Sequence, residues 1–155
     1  MPEKPWSQTC SYRFNKVMVD TGETPTVVIR TKETSYSPYS KFRVGAALLT
    51  KDGTWYKGCN VENASYGAAI CAERTAYCKA VSEGHKDFVA LAVSTDQEDF
   101  VSPCGICRQF ISEFGPGTLP VYLLNVNGEY KPTTLADLLP MSFALEQGQK
   151  FLIKQ

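Results

Sequence analysis

Between Phe88 and Ser94 the chain reads Phe-Val-Ala-Leu-Ala-Val-Ser, an almost unbroken apolar run. A run of this length suits a strand and is too short for a buried helix. Because it does not alternate with polar residues, it reads as a strand buried on both faces, as in sheets covered by helices. Val121 to Leu124 is a second run of this kind. Phe42 to Thr50 reads as a strand of β-branched and small apolar residues, Lys51-Asp52-Gly53-Thr54 as a hairpin turn, and Trp55 to Cys59 as the returning strand. Cys71 to Glu83 has a helical stripe of Ile70, Ala76, Tyr77, Ala80 and Val81, with Gly84 suited to the C-terminal cap. Cys104 to Phe114 reads as a second helix, with Cys107, Phe110, Ile111 and Phe114 on one side. Asn127-Gly128 turns the chain toward a short strand near Tyr130, and Thr134 can cap a brief helix through Leu138. Strands separated by helices argue for an α/β layered sheet with one starting hairpin.

The segment Met1 to Glu33 is the least readable. Thr24 as N-cap and Pro25 at the first helical position would start a helix, against which the β-branched run Thr26-Val27-Val28-Ile29 weighs. We therefore divide the chain into an N-terminal extension, 1–33, and a domain, 34–155. The whole, at 155 residues and 43% apolar composition, supports one core. Sixteen basic residues balance sixteen acidic ones. That balance argues against a non-specific nucleic-acid binder, and no dense basic run suggests a membrane surface. With no signal-like or membrane-spanning run, a cytoplasmic location is expected. The six cysteines then read as thiols or metal ligands before disulfides, and any metal site must rest on them because His85 is the one histidine.

Two segments carry chemistry: Cys71-Ala72-Glu73-Arg74 and Pro103-Cys104-Gly105-Ile106-Cys107, each at an expected helix start. Cysteines three apart on a helix share a face, and a helix N-terminus lowers a thiol pKa. Alone, such a pair could be a redox couple or half of a structural zinc site. Cys71 adds a third thiolate, and three protein ligands leave the fourth position of a tetrahedral zinc open to water. Glu73, two residues on, can take a proton from that water and deliver it to substrate. The combination of Cys-x-Glu with Pro-Cys-x-x-Cys is the zinc-deaminase pattern.

The chain resembles the small, homotetrameric cytidine deaminases that act on free nucleosides. The resemblance spans roughly Tyr36 to Phe143 and rests on five motifs. They are the segment from Ser37 to Ala47, Gly58-Cys59-Asn60-Val61-Glu62-Asn63-Ala64, Cys71-Ala72-Glu73-Arg74-Thr75-Ala76, the segment from Ser102 to Gln109, and Leu138-Leu139-Pro140-Met141-Ser142-Phe143. It implies a three-layer α/β/α sandwich around a mixed, mostly parallel sheet of about five strands. It implies one zinc ion per chain on Cys71, Cys104 and Cys107, with zinc-bound water as nucleophile and Glu73 as proton shuttle. Cytidine and deoxycytidine would become uridine and deoxyuridine plus ammonia, as in pyrimidine salvage. The backbone of Ala72 would meet the base O2 and that near Ser102 the amino group. Asn60 and Glu62 would hold ribose hydroxyls within a loop continuing through Val61, Asn63, Ala64 and Ser65 to Tyr66. Phe42 would line the pocket, and Phe143 would reach a neighbouring subunit's site. Asn60 and Glu62, at i and i+2 of an extended segment, point the same way, and amide plus carboxylate suits a vicinal diol. Arg74 behind the ligands would offset the net negative charge of zinc with three thiolates.

Competing readings are a deaminase of cytosine in RNA or DNA, a deaminase of a cytosine-containing antibiotic, and a non-catalytic zinc module. The first needs a basic, aromatic track for the strand, and the last needs a fourth protein ligand. Cys59 and Cys78 read as packing residues, Cys10 as a surface thiol, and His85 as a solvated residue past a helix end.

Overall fold

The computed structural model describes residues 25–144. The proposed cap at Thr24 and the thiol of Cys10 lie outside them. Strands β1 (Val44–Thr50) and β2 (Trp55–Cys59) form an antiparallel hairpin in the register Gly45↔Cys59 to Leu49↔Trp55. Its turn places Gly53 at φ +93°, a conformation that favours glycine. The ladder begins two residues later than the sequence suggests. Phe42 N–H donates to Ser40 Oγ (3.0 Å) and Phe42 C=O accepts from Asn60 Nδ2 (2.8 Å), so side chains take the place of a strand partner.

Strands β3 (Phe88–Thr95), β4 (Pro120–Leu124) and β5 (Tyr130–Thr134) complete a sheet of order β2-β1-β3-β4-β5. The expected mixed sheet of five strands is present, but it is not mostly parallel. Only β3–β4 pairs in parallel, while β1–β2, β1–β3 and β4–β5 are antiparallel. The cause is connectivity. Helix α2 (Ala72–Ser82) carries the chain from β2 past β1 to β3, so these two like-directed strands are separated by the hairpin partner. Helix α3 (Gly105–Ser112) makes the one crossover between adjacent parallel strands. Helix α4 (Leu135–Leu138) is opened by Thr134 in a capping box with Asp137.

Alternation along the strands feeds two cores. Ala46, Leu48, Leu91, Val93, Val121 and Leu123 face the layer of α2, α3 and α4, where Tyr77 packs on Phe88, Phe110 and Phe114. Ala47, Leu49, Ala90, Ala92, Tyr122 and Leu124 face the opposite way, against Val28 of helix α1 (Pro25–Arg30). The β-branched run thus forms a helix starting at Pro25, because burial of Val28 outweighs the modest cost of β-branching. The layering is α/β/α, and residues 28–32 pack on the same sheet as the rest, ahead of the boundary drawn at residue 34. Cys78 is exposed rather than packed, since Ala76, Tyr77 and Ala80 take the inner face of α2. Cys59 is only half-buried, with Sγ 3.3 Å from the Thr34 carbonyl oxygen. Among the described residues, no helix is long and apolar enough to cross a membrane.

Candidate metal centre and active site

Helices α2 and α3 begin at the site. Cys71 is the N-cap of α2 and Cys104 the N-cap of α3, both extended in backbone and neither making a side-chain cap hydrogen bond. The thiols stand where Ser, Thr, Asp or Asn would ordinarily satisfy the first amides. Cys107, in the first turn of α3, is fully buried. The three sulfurs lie within 4.8 Å of one another, and the Cys71 and Cys104 sulfurs are 3.9 Å apart. A tetrahedral zinc with Zn–S of about 2.3 Å separates two sulfurs by about 3.8 Å, so the spacing fits that ion. It is the one cluster of metal-ligating side chains among the described residues. His85 is elsewhere, its Nδ1 3.4 Å from Asp52 and its ring against Tyr56.

The thiols of Cys71 and Cys107 share a hydrogen bond that, with burial, pushes Cys107 up while it draws Cys71 down. Hydrogen bonding from Cys107, and then from the Arg74 guanidinium, holds the Cys71 thiol down at about 5 against burial. Arg74 donates toward Cys71 Sγ (3.7 Å) and the Ala69 carbonyl (3.4 Å). Its own pKa is raised, first by the bond to Cys71. Glu73, in the first turn of α2, is 3% exposed, and desolvation pushes its carboxyl above the usual range. Ala72, between ligand and carboxyl, is fully buried.

A small bridge ties the segment around Val61 to the residue before Cys71. Val61 pairs with Ile70 through Val61 N–H to Ile70 C=O (2.9 Å) and the reverse (3.0 Å), and on its other side with Tyr36. The loop between them is thereby closed at the residue before Cys71, and Asn63 (whose Oδ1 accepts from Ser65 N–H at 2.8 Å), Ala64, Ser65 and Tyr66 stand exposed in it. Asn60 and Glu62 both turn toward the 35–44 segment. Asn60 Oδ1 accepts from Ser35 Oγ (2.6 Å) and Val44 N–H (2.8 Å), while its Nδ2 donates to Phe42. One amide hydrogen remains for a ligand. Glu62 accepts from the Tyr39 amide (2.9 Å), the Ser40 amide (3.3 Å) and the Ser40 hydroxyl, and the last of these chiefly lowers its pKa. The sequence reading of these two as sugar contacts did not include this structural work. Phe42 is half-buried; Phe143 is 64% exposed.

Sequence reasoning also missed Arg108. It donates from Nε to the Pro103 carbonyl (2.6 Å), from one terminal nitrogen to Ser102 Oγ (2.6 Å), and from the other to the Leu138 carbonyl (2.7 Å). It thus holds the segment ahead of Cys104 against the chain leading to Phe143. Its place directly after Cys107 was the available signal, but an arginine on a helix is ordinarily solvent-facing.

Three thiols from two helix N-termini, with a buried carboxyl beside them on an α/β/α sandwich, define a metalloenzyme domain. The family model described as "Cytidine and deoxycytidylate deaminase zinc-binding region" matches residues 20–123. A cytidine deaminase of Sporosarcina psychrophila is 57% identical over 117 residues, covering 76% of this chain and 86% of the relative. A blasticidin-S deaminase of Bacillus cereus is 35% identical over 112 residues, covering 67% of this chain and 79% of the relative. The 1.6 Å crystal structure of cytidine deaminase from Burkholderia pseudomallei superposes with a TM-score of 0.72 at 46% identity, covering 77% of this chain and 99% of that one. The chain belongs to the cytidine and deoxycytidylate deaminase family with its zinc-binding region.

Proposed function

We propose that the protein hydrolyses the exocyclic amino group of free cytidine and deoxycytidine, releasing ammonia and leaving uridine or deoxyuridine. The observation that carries this reading is the buried Glu73 carboxyl in the first turn of α2, two residues after Cys71, with Cys71, Cys104 and Cys107 converging at the same helix ends. Those three residues would hold one zinc ion per chain, whose bound form lowers the pKa of water toward neutrality and makes it nucleophilic.

The chain's own groups do the rest. Burial raises the Glu73 pKa above the usual carboxyl range, in the direction that helps its carboxyl hold a proton between transfers. It takes a proton from the attacking water, gives one to the pyrimidine N3, and assists departure of the amino group. Arg74 draws charge from the thiolates, keeping the site acidic. The Ala72 backbone receives the base O2, the backbone at Ser102 the amino group, and Asn60 and Glu62 the ribose hydroxyls. Phe42 walls the pocket, along with the loop of Val61, Asn63, Ala64, Ser65 and Tyr66. Phe143 completes the site of a neighbouring subunit in a homotetramer. A cytoplasmic location, where thiols stay reduced, and a role in pyrimidine salvage suit this chemistry. We draw the start of the folded domain ahead of residue 34, since Val28 is in the core.

A second reading, deamination of a cytosine-containing antibiotic, has the relative named blasticidin-S deaminase behind it. Higher identity to a relative named cytidine deaminase favours the nucleoside. The purified protein should deaminate cytidine, followed by ultraviolet absorbance, with one zinc per chain and the mass of a tetramer by light scattering. Free cytosine should react poorly, because it lacks the ribose hydroxyls that would bond to Asn60 and Glu62. Equal rates on cytosine would refute the sugar assignment, and turnover of blasticidin S in preference to cytidine would establish the second reading.

A further inference from the structure

Phe143 presents an exposed ring from a stretch without regular secondary structure. Such a ring, with little packing of its own, adopts a fixed place only if its backbone is held. Gln109 holds it from both sides. Gln109 Nε2 donates to the Phe143 carbonyl (2.8 Å) and Gln109 Oε1 accepts from the Phe143 amide (3.3 Å). One side-chain amide thus spans both backbone groups of a single residue, as a neighbouring strand would. Gln109 lies on α3, two residues beyond Cys107 and on the helix whose N-cap is Cys104. Arg108 makes a second tie from the same helix to the Leu138 carbonyl (2.7 Å), five residues before Phe143.

We infer that Gln109 is a positioning residue for substrate binding: it fixes the Phe143 backbone to the ligand-bearing helix, so the ring is presented pre-ordered. The inference rests on the reading that the Phe143 ring contacts the substrate. Ordering a loose aromatic segment on each binding event subtracts from affinity, and pre-organisation removes that cost. The zinc ligands and Glu73 do not depend on this clamp, so its loss acts on binding rather than on the chemical step. In that respect Gln109 differs from Arg108, which also touches Ser102 and Pro103.

The test is a double-mutant cycle on the zinc-loaded protein with cytidine as substrate. Phe143→Ala should raise KM about tenfold, the scale of one lost stacking contact, with kcat nearly unchanged. Gln109→Ala should raise KM in the same direction at unchanged zinc content and kcat, and the double variant should be no worse than Phe143→Ala alone. Gln109→Glu can still accept from the Phe143 amide but cannot donate to its carbonyl. A carboxylate oxygen then faces that carbonyl, so the variant should raise KM at least as far as Gln109→Ala, and it carries the test if Gln109→Ala fails to fold. A raised KM in Phe143→Ala beside a normal KM in the Gln109 variants would overturn the inference while leaving the ring's role intact. Additive effects in the double variant would also overturn it. A normal KM in Phe143→Ala would remove the ring's role, and the inference with it.

Discussion

At residue scale the site turns on where a carboxyl is placed. Glu73 sits in the first turn of α2, where the helix amides favour negative charge, yet it is 3% exposed and its pKa is raised. Desolvation therefore outweighs the helix end, as it should for a group removed from water. Glu73→Gln keeps the shape and removes the proton. The expected outcome is a loss of roughly 10²–10⁴-fold in turnover, the range for general acid–base catalysis, with zinc content unchanged by metal analysis. Near-normal turnover in zinc-loaded Glu73→Gln protein would show that another group carries the proton. The identity of this residue was legible from the Cys-x-Glu spacing. Its burial was not, because the residues that exclude water from it come from other parts of the chain.

At the scale of elements, α2 is set by close contact with the hairpin. A Cβ built on Gly58 of β2 would stand 2.4 Å from the Ala72 carbonyl oxygen and 2.5 Å from the Ala76 amide nitrogen, both backbone atoms of α2. Neither can yield as a flexible side chain would. Gly58→Ala should therefore push α2 outward, carrying Cys71, Ala72 and Glu73 with it. A loss of about 1–3 kcal/mol of stability is expected, the ordinary cost of overpacking, read as a lower Tm. Turnover per zinc should fall as well, since the displaced helix bears both ligand and proton carrier. A variant that loses stability but keeps full turnover per zinc would show that α2 absorbs the shift away from its N-terminus. Most elements were legible: hairpin, helices and buried strands fall within a few residues of their expected places, because periods of two and 3.6 residues are written locally. The ladder's late start at Val44 was not, since it depends on Asn60 and Ser40 capturing Phe42.

Across the whole molecule, Asp96 past the end of β3 ties the two sides of the fold together. It meets Lys32 of the N-terminal layer at 3.0 Å and Arg43 at the entry to β1 at 2.7 Å, and Lys32 also donates to the Thr95 carbonyl (2.7 Å). The Arg43 hydrogen bond, against partial desolvation, lowers the Asp96 pKa. A depressed carboxylate pKa stabilises the fold above the unfolded value of about 3.9, and that contribution is lost as pH falls through the lower folded value. Denaturant midpoints measured on the zinc-loaded protein should therefore drop on acidification below about pH 4, and less steeply for Asp96→Asn. Parallel curves for the two proteins would show that Asp96 has no such linkage.

The sequence by itself determined the element types, the two helix starts and the chemistry of the ligands, because each is encoded by neighbours along the chain. It also carried the family, through motifs from Ser37 to Phe143. Tertiary structure alone decided the strand directions, since the direction of neighbours depends on which strand each crossover skips. It decided that Val61 bridges Ile70, the residue before Cys71, and that Asn60 and Glu62 already serve the 35–44 segment. It decided that Arg108 and Gln109 reach back to Leu138 and Phe143. These contacts join residues distant in sequence, and no local period records them; they form only when the packed layers bring the segments together.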